Sequence, residues 1–436
     1  MIKVFKALFY ICFIYGLTLT TLSQTNPWKK IQSPVNSTLR RLTFVNSLTG
    51  WAAGENGTII RTTDGGNNWE VQNSTIQTFI TDIFFINIEI GWATTIMDTF
   101  PFKTVILKTT NGGSNWFAED FQDSSALMRT IFFFDSLNGF IGGSYIAHTS
   151  DGGTSWTRAI VDSNMISGFP VYEFNFYNRQ FGFACGGRID IAGVVWRTTN
   201  FGLNWAAQGI SPDEIFDIFI LDSLNAISLS GDPEGFYGIS KLNTSDAGLN
   251  WNFEDLFFYG LSFTIDFRTY NEGWSASGYK FLFTSDRGET WSEVETPDSA
   301  VIYDLQFVDA RYGYAVGQDG VILKFGLENE PTPTKEFILY QNYPNPFNPS
   351  TKIKFTIPMV ETNRNASLLT TLRVYDVLGN EIAKLVNEEK SAGIYEVEFI
   401  PRGLVSGVYF YQLEAGDPSI SSGQSFIQTK KMVYLR

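Results

Sequence analysis

Thr62-Thr63-Asp64-Gly65-Gly66-Asn67-Asn68-Trp69 decides the reading of this chain, because the chain writes it six times. It returns at 109–116 (TTNGGSNW), 149–156 (TSDGGTSW), 198–205 (TTNFGLNW), 244–251 (TSDAGLNW) and 284–291 (TSDRGETW). Successive tryptophans stand 47, 40, 49, 46 and 40 residues apart, a period that indicates a propeller or another array of supersecondary units. The hydroxyl and the Asp or Asn (Asp64, Asn111, Asp151, Asn200, Asp246, Asp286) suit a tight turn in which side chains bond nearby amides. Gly66, Gly113, Gly153, Gly202, Gly248 and Gly288 suit a position with φ > 0. The Trp that follows is expected to open the next strand and bury its ring between units.

Each octapeptide closes a fixed pattern. An alternating apolar strand comes first, at 42–46, 83–87, 131–135, 174–178, 218–222, 265–269 and 305–309, seven times in all. Gly plus an aromatic follows (Gly50-Trp51, Gly91-Trp92, Gly139-Phe140, Gly182-Phe183, Gly273-Trp274, Gly313-Tyr314), with unit five departing as Asn225-Ala226. A third strand runs into the octapeptide and a fourth begins at its Trp. Four strands per unit is a propeller blade. The seventh unit stops at Val321–Phe325 without a Trp, while Asn26-Pro27-Trp28-Lys29-Lys30-Ile31 reads as an orphan fourth strand. The expected fold is all-β: a seven-bladed β-propeller over 24–327, closed by that N-terminal strand. A six-bladed ring is the alternative.

The octapeptide resembles the Asp-box of sialidase-type (BNR) repeats, in which the box is a fold-making turn away from any chemistry. The longer pattern over Phe44–Trp69 resembles the repeat of photosystem II stability/assembly factor propellers. That resemblance covers about 26–326 and implies a binding or assembly platform without catalysis.

Met1–Ser23 reads as a secretory signal peptide, with Lys3 and Lys6 ahead of an apolar core and a small-residue site at Thr21-Leu22-Ser23. The chain carries −14; without Lys3 and Lys6 it carries −16. Residues 337–436 hold ten basic and nine acidic side chains, which leaves −17 on 24–336. Such a balance disfavours nucleic acid and anionic membranes as partners. With Cys12 in the leader, Cys185 is alone, so stability must come from core size. Glu328–Thr334 begins a Pro/Thr-rich linker (328–336), and short alternating strands with Gly/Pro/Asn turns over 337–436 predict a small immunoglobulin-like β-sandwich. Tyr343-Pro344-Asn345-Pro346 and Ser406-Gly407-Val408-Tyr409, in that order, resemble the C-terminal sorting domain of type IX secretion cargo. The resemblance implies a didermic bacterium, passage through the periplasm, type IX machinery as a partner through 337–436, and delivery to the cell surface or medium. The 361–370 stretch is longer and more polar than usual there and is expected to lengthen a loop.

No catalytic, cofactor or metal site emerges from the residues. A sialidase needs an Arg-Ile-Pro motif and three convergent arginines; the motif is missing and the arginines fall at inconsistent repeat positions. A secreted glycan hydrolase of sialidase or xyloglucanase type is the competing class. Asp82, Glu173, Asp217 and Asp304 share one repeat position and would ring a channel mouth, the plainer expectation being solvated acids at strand starts. His148, the only histidine, reads as an exposed repeat variant, and Cys185 as a buried small residue. The expected recognition surface for an unknown protein or glycan lies on the loops joining strands two and three. These are 96–104, 186–193 and 231–238, carrying Phe100, Phe102, Asp190, Asp232, Glu234, Phe236 and Tyr237, with Asp98 beside them.

Overall fold

The computed structural model describes residues 26–97, 100, 102–162, 165–232, 238–326, 337–357, 368–390, 393–401, 403–416 and 426–436. The leader, the linker, Asp98, Glu234, Phe236 and Tyr237 lie outside the described residues. Among the described residues, apart from three short 3-10 turns, the regular structure is entirely strand.

Among the described residues, 26–326 form seven antiparallel sheets. The first contains Leu39–Phe44, Gly50–Gly54, Ile59–Thr62 and Glu70–Gln72, and the next five repeat that plan. In the fourth, Ile160–Val161 adds a fifth, parallel strand along the outer edge at Asn204–Trp205. The seventh is Ile302–Phe307, Tyr312–Gly317 and Ile322–Gly326, and its fourth strand is Trp28–Ile31 in the register Trp28↔Phe325 to Ile31↔Ile322. The orphan strand therefore pairs where the sequence leads one to expect. The first strand of each sheet adjoins that of the next, in order from one to seven and back to one. The result is a β-propeller.

Three repeated contacts join neighbouring sheets. The aromatic after the strand-two Gly stacks on the last inner-strand Phe of the following sheet: Trp51 on Phe85 at 3.5 Å, Trp92 on Phe133 at 3.6 Å, Tyr314 on Phe44 at 3.9 Å. The same aromatic bonds the next box, through Trp51 Nε1 to the Gly112 carbonyl, Trp92 Nε1 to Gly152 and the Tyr314 hydroxyl to Gly65. A basic residue in the third strand adds a third tie, as when Lys108 reaches Gly152, Lys324 reaches Gly65 and Arg197 reaches Ala247.

The boxes hold themselves. Thr62 Oγ1 accepts from Gly66 N at 2.9 Å and Asp64 Oδ1 accepts from Asn68 N at 2.9 Å. The same pair of bonds recurs at Asn111, Asp151, Asn200, Asp246 and Asp286. All six second glycines have φ between 70° and 91°, the left-handed region that glycine enters without strain.

Five of the first strands begin three residues earlier than the alternation suggests, at Leu39, Ile80, Met128, Val171 and Ile302. Polar residues interrupt the alternation there, yet the backbone stays extended.

Over 337–436 the strands form two sheets. One orders Ile338–Leu339, Thr351–Ile357 and Gly393–Phe399; the other orders Glu381–Lys390, Leu368–Tyr375, Gly407–Gly416 and Phe426–Tyr434. Their inward faces share one core around Phe347, Phe355, Leu372, Tyr411 and Met432. Leu368–Thr370, read from sequence as loop, belongs to a strand whose Leu368 and Thr370 side chains are buried.

Trp28 is buried against Trp274, Phe281, Phe307 and Phe325. Trp28→Ala should cost about 3–5 kcal/mol of unfolding free energy, as large-to-small core changes do. Denaturant melts of the mature chain measure it, and a loss below about 1 kcal/mol would mean the N-terminal strand does not close the ring.

Candidate functional site

The central opening of the ring is built by an irregularity repeated at the start of the first strands. Leu39 pairs with Gly54 and Arg41 with Ala53, which leaves Arg40 as a bulged extra residue. Thr81, Arg129, Tyr172 and Tyr303 are left over in the same way. Phe216 and Phe263 hold the equivalent places in sheets five and six, ahead of Asp217 and Thr264. A bulge re-aims side chains that a regular strand would alternate. Strand two makes room for it with glycine: a Cβ on Gly54 would lie 2.0 Å from the Thr38 carbonyl oxygen, and one on Gly317 would lie 1.8 Å from that of Val301.

These five and the two phenylalanines form a rim. Tyr172 stacks on Phe216 at 5.5 Å, Phe216 meets Phe263 at 5.6 Å, and Phe263 meets Tyr303 at 5.4 Å. Guanidinium groups cap this arc at both ends, Arg129 at 5.8 Å from the Tyr172 ring and Arg40 at 3.8 Å from that of Tyr303. Thr81 stands between the two arginines in the cyclic order and is buried. One half of the rim is aromatic and the other cationic.

The next residue of each first strand makes the floor: Arg41, Asp82, Thr130, Glu173, Asp217, Thr264 and Asp304. Arg41 spans the axis, its guanidinium 3.4 Å from the Thr81 and Tyr172 carbonyls and from Glu173 Oε2. The acids bond backbone N–H groups on the inner edges. Asp82 accepts from its neighbour Ile83 N and, across the sheet boundary, from Ile131 N and the Thr130 hydroxyl. Asp217 accepts from Ile218 N, Ile265 N and the Thr264 hydroxyl. Asp304 accepts from Leu42 N at 2.8 Å, and Glu173 from Phe174 N at 3.1 Å. Burial pushes Asp82 up, Asp217 to about 6, Asp304 to about 7 and Glu173 well above its ordinary range, while Arg41 opposes each shift.

These four acids were expected to be solvated at strand starts. The structure instead buries Asp82 and Asp304 almost completely and half-buries Glu173 and Asp217 around one arginine. The sequence did not single out the rim residues. Their only signal was two consecutive non-aliphatic residues ahead of each aliphatic run (Arg40-Arg41, Arg129-Thr130, Tyr172-Glu173, Tyr303-Asp304), which is what a bulge looks like in sequence.

The named loop residues divide into separate groups. Phe100 and Phe102 are exposed and meet edge to face at 6.5 Å on sheet two. Asp190 is a left-handed turn residue (φ 56°) whose N–H bonds Asp213 Oδ1 at 2.8 Å. The strands on either side reach to Arg188 and from Ala192, so the insertion in unit four is mostly extended hairpin. Asp232 is buried and not part of an exposed acidic surface, because its N–H closes the hairpin base onto the Gly238 carbonyl at 3.3 Å. Burial, helped by the Asp232 and Asp190 charges, pushes the Asp213 carboxyl up against the N–H bond it receives from Asp190. His148 is half-buried beside Phe140, and burial lowers its pKa, so it is not the exposed variant expected. Cys185 is fully buried.

The rim shares its end of the ring with these loops. The start of each first strand pairs with the end of the second, beside the two-to-three turn. The boxes lie at the other end, against the one-to-two turns, as in Gly65 N to the Leu48 carbonyl. Both chain ends of the ring emerge there too, with Gly326 N bonded to the Pro27 carbonyl.

Residues 20–118 match the family described as Photosynthesis system II assembly factor YCF48, and 341–427 match the Secretion system C-terminal sorting domain. The Ycf48 photosystem II assembly lipoprotein of Trichormus variabilis is 22% identical over 348 residues, 77% of this chain and 97% of that relative. The Ycf48 assembly protein of Thermosynechococcus vestitus is 42% identical over 45 residues, 10% of this chain and 13% of that relative. Among solved structures, YCF48 bound to D1 peptide superimposes with a TM-score of 0.56 at 20% identity, covering 70% of this chain and 98% of that one. The GH74 enzyme of Niastella koreensis gives 0.53 at 10% identity, covering 92% and 74%. The fold is thus that of Ycf48 and GH74 propellers, and the sorting domain indicates export by type IX secretion to the cell surface or medium. No helix of the described residues is long and apolar enough to cross a membrane.

The raised pKa of Asp304 fixes a pH dependence. Folding favours the protonated carboxyl, so its contribution is fully present below its ordinary value of 3.8 and is lost as pH rises through about 7. Asp304→Asn should therefore flatten the fall of Tm between pH 4 and 7. Parallel Tm–pH curves for the two proteins would contradict the assignment.

Proposed function

We propose that this chain is an exported, non-enzymatic binding module: the seven sheets are the blades of a seven-bladed propeller, and its rim face captures a partner polypeptide. The leader 1–23 directs it to the periplasm. The two C-terminal sheets act as an immunoglobulin-like sorting domain over 337–436 that engages the type IX machinery. The rim carries this reading, with aromatic side chains half-exposed on or just ahead of the first strands and away from the end where the chain enters and leaves the ring. Half-exposed aromatics and arginines on a rigid frame are what protein-binding hot spots use. The solved YCF48 complex carries a D1 peptide, which makes peptide capture a precedent on this fold. The outer loops carrying Phe100, Phe102 and Asp190 would widen the same face.

The hydrolase reading, suggested by the GH74 likeness, finds less support at the axis. Asp82, Asp217 and Asp304 are committed to backbone amides and Glu173 to Arg41, so the four floor acids are engaged in holding the ring together. Purified protein should release no reducing ends from xyloglucan or sialylated glycans. Turnover abolished by changing one carboxylate would overturn the non-enzymatic reading. Truncation after Thr334 should leave the propeller folded and inside the cell envelope, scored by fractionation and immunoblotting. Undiminished appearance of the truncated chain outside the cell would count against sorting by 337–436.

A further inference from the structure

We infer that the rim is a receptor for a polypeptide segment in which a carboxylate stands next to an aromatic side chain, the carboxylate held between Arg40 and Arg129 and the aromatic ring against Tyr172, Phe216, Phe263 and Tyr303. This rests on the binding-module reading and adds the ligand's chemistry to it.

The cationic arc is what singles out a carboxylate. Residues 24–336 carry −17, yet Arg40 and Arg129 flank one opening. Arg129 is exposed and forms no ion pair among the described residues; it lies over the Tyr172 ring and within electrostatic reach of Glu214. Arg40, over the Tyr303 ring, has one loose ion pair, 3.4 Å to Glu55 Oε1, and its buried Nε has no hydrogen-bond partner among the described residues. A guanidinium offers a fork of donors that suits a carboxylate. Arg41 cannot serve, since carbonyls and Glu173 already occupy it on the floor below.

The opposite arc selects the neighbouring group. Phe216 and Phe263 present no polar atom on their side chains. The Tyr172 hydroxyl is turned to Glu214 Oε2 at 3.4 Å, and the Thr81 hydroxyl is taken up by Thr94. An anionic sugar would satisfy the arginines but would leave most of its hydroxyls without partners, at a cost for each one desolvated. An aromatic side chain needs none and gains by ring contact. A peptide fits both halves.

The test uses the mature full-length chain and three labelled hexapeptides in fluorescence anisotropy. One ends in Ala-Phe with a free carboxyl terminus. One is the same peptide amidated, and one is amidated but carries internal Asp-Phe; tri-galacturonate is the competitor. At least one carboxylate peptide should bind, and the arm that binds tells whether a chain end or an acidic side chain supplies the carboxylate. The amidated neutral peptide should bind roughly tenfold more weakly or worse, as should the binding peptide to Arg129→Gln and Arg40→Gln. Arg129→Gln keeps the test sound if Arg40→Gln unfolds, since Arg129 is exposed. Equal binding of the neutral peptide, no loss in Arg129→Gln, preference for the galacturonate, or no binding of any carboxylate peptide would each overturn the inference. A partner polypeptide whose capture is lost in Phe216→Ser but kept in Arg129→Gln would leave the binding-module reading standing and remove only the carboxylate. Capture indifferent to both changes would remove the rim as the binding face.

Discussion

The structure depends on how seven strand edges are satisfied where they converge. The first strand of each sheet is an edge strand facing the axis, and its N–H groups cannot be left unpaired away from water. Side-chain carboxylates supply the acceptors. Asp82 bonds Ile131 N, Asp217 bonds Ile265 N, Asp266 bonds Phe307 N and Asp304 bonds Leu42 N, while the Gln306 amide does the same for Phe44 N. Each bond crosses from one sheet to the next, so meeting the edge requirement also stitches the ring. The consequence is acidic groups gathered in a confined space. Their pKa values rise because burial favours the neutral form, and Arg41 is the compensating charge at the centre.

The outer parts of the sheets solve a different problem with apolar chemistry. Trp51, Trp92 and Tyr314 each stack on the neighbouring sheet and each bond the neighbouring box, so one aromatic position provides both packing and register. The boxes fold on themselves through Thr and Asp, which leaves their Gly carbonyls free to receive that bond. A turn with no hydrogen-bonding debt of its own makes a good fixed anchor. It also explains the basic residues at one position of the third strands, such as Lys108, Arg197 and Lys324, since they reach the same loops from the sheet before.

Much of this was legible in the sequence because it repeats. The boxes, the Gly-aromatic pairs and the closure by Trp28 could each be located by comparing units. What repetition cannot show is chemistry that differs from unit to unit at one position. The floor position reads Arg, Asp, Thr, Glu, Asp, Thr, Asp, and no single unit reveals that these side chains meet. Judged alone, Asp82 or Asp304 is a polar residue beside a strand, and solvent is the natural place to put it. Only the closed ring brings Arg41 across to Glu173, 132 positions away in sequence. The rim was hidden for a related reason: a bulge shifts the alternation by one residue, so Tyr172 and Tyr303 look out of phase with the strands they begin. On the loops, Phe100 could be recognised as exposed from its surroundings, whereas Asp232 could not be recognised as buried, because a hairpin base does not announce itself in sequence.

The central claim is that the protein binds a polypeptide over its axial rim. The most direct measurement is amide hydrogen exchange on the exported protein, alone and in complex with the polypeptide that co-purifies with it. The account predicts new protection in the segments around Arg40, Arg129, Tyr172 and Tyr303, with the six box turns unchanged. Protection confined to the box face, with the rim segments exchanging as in the free protein, would contradict it.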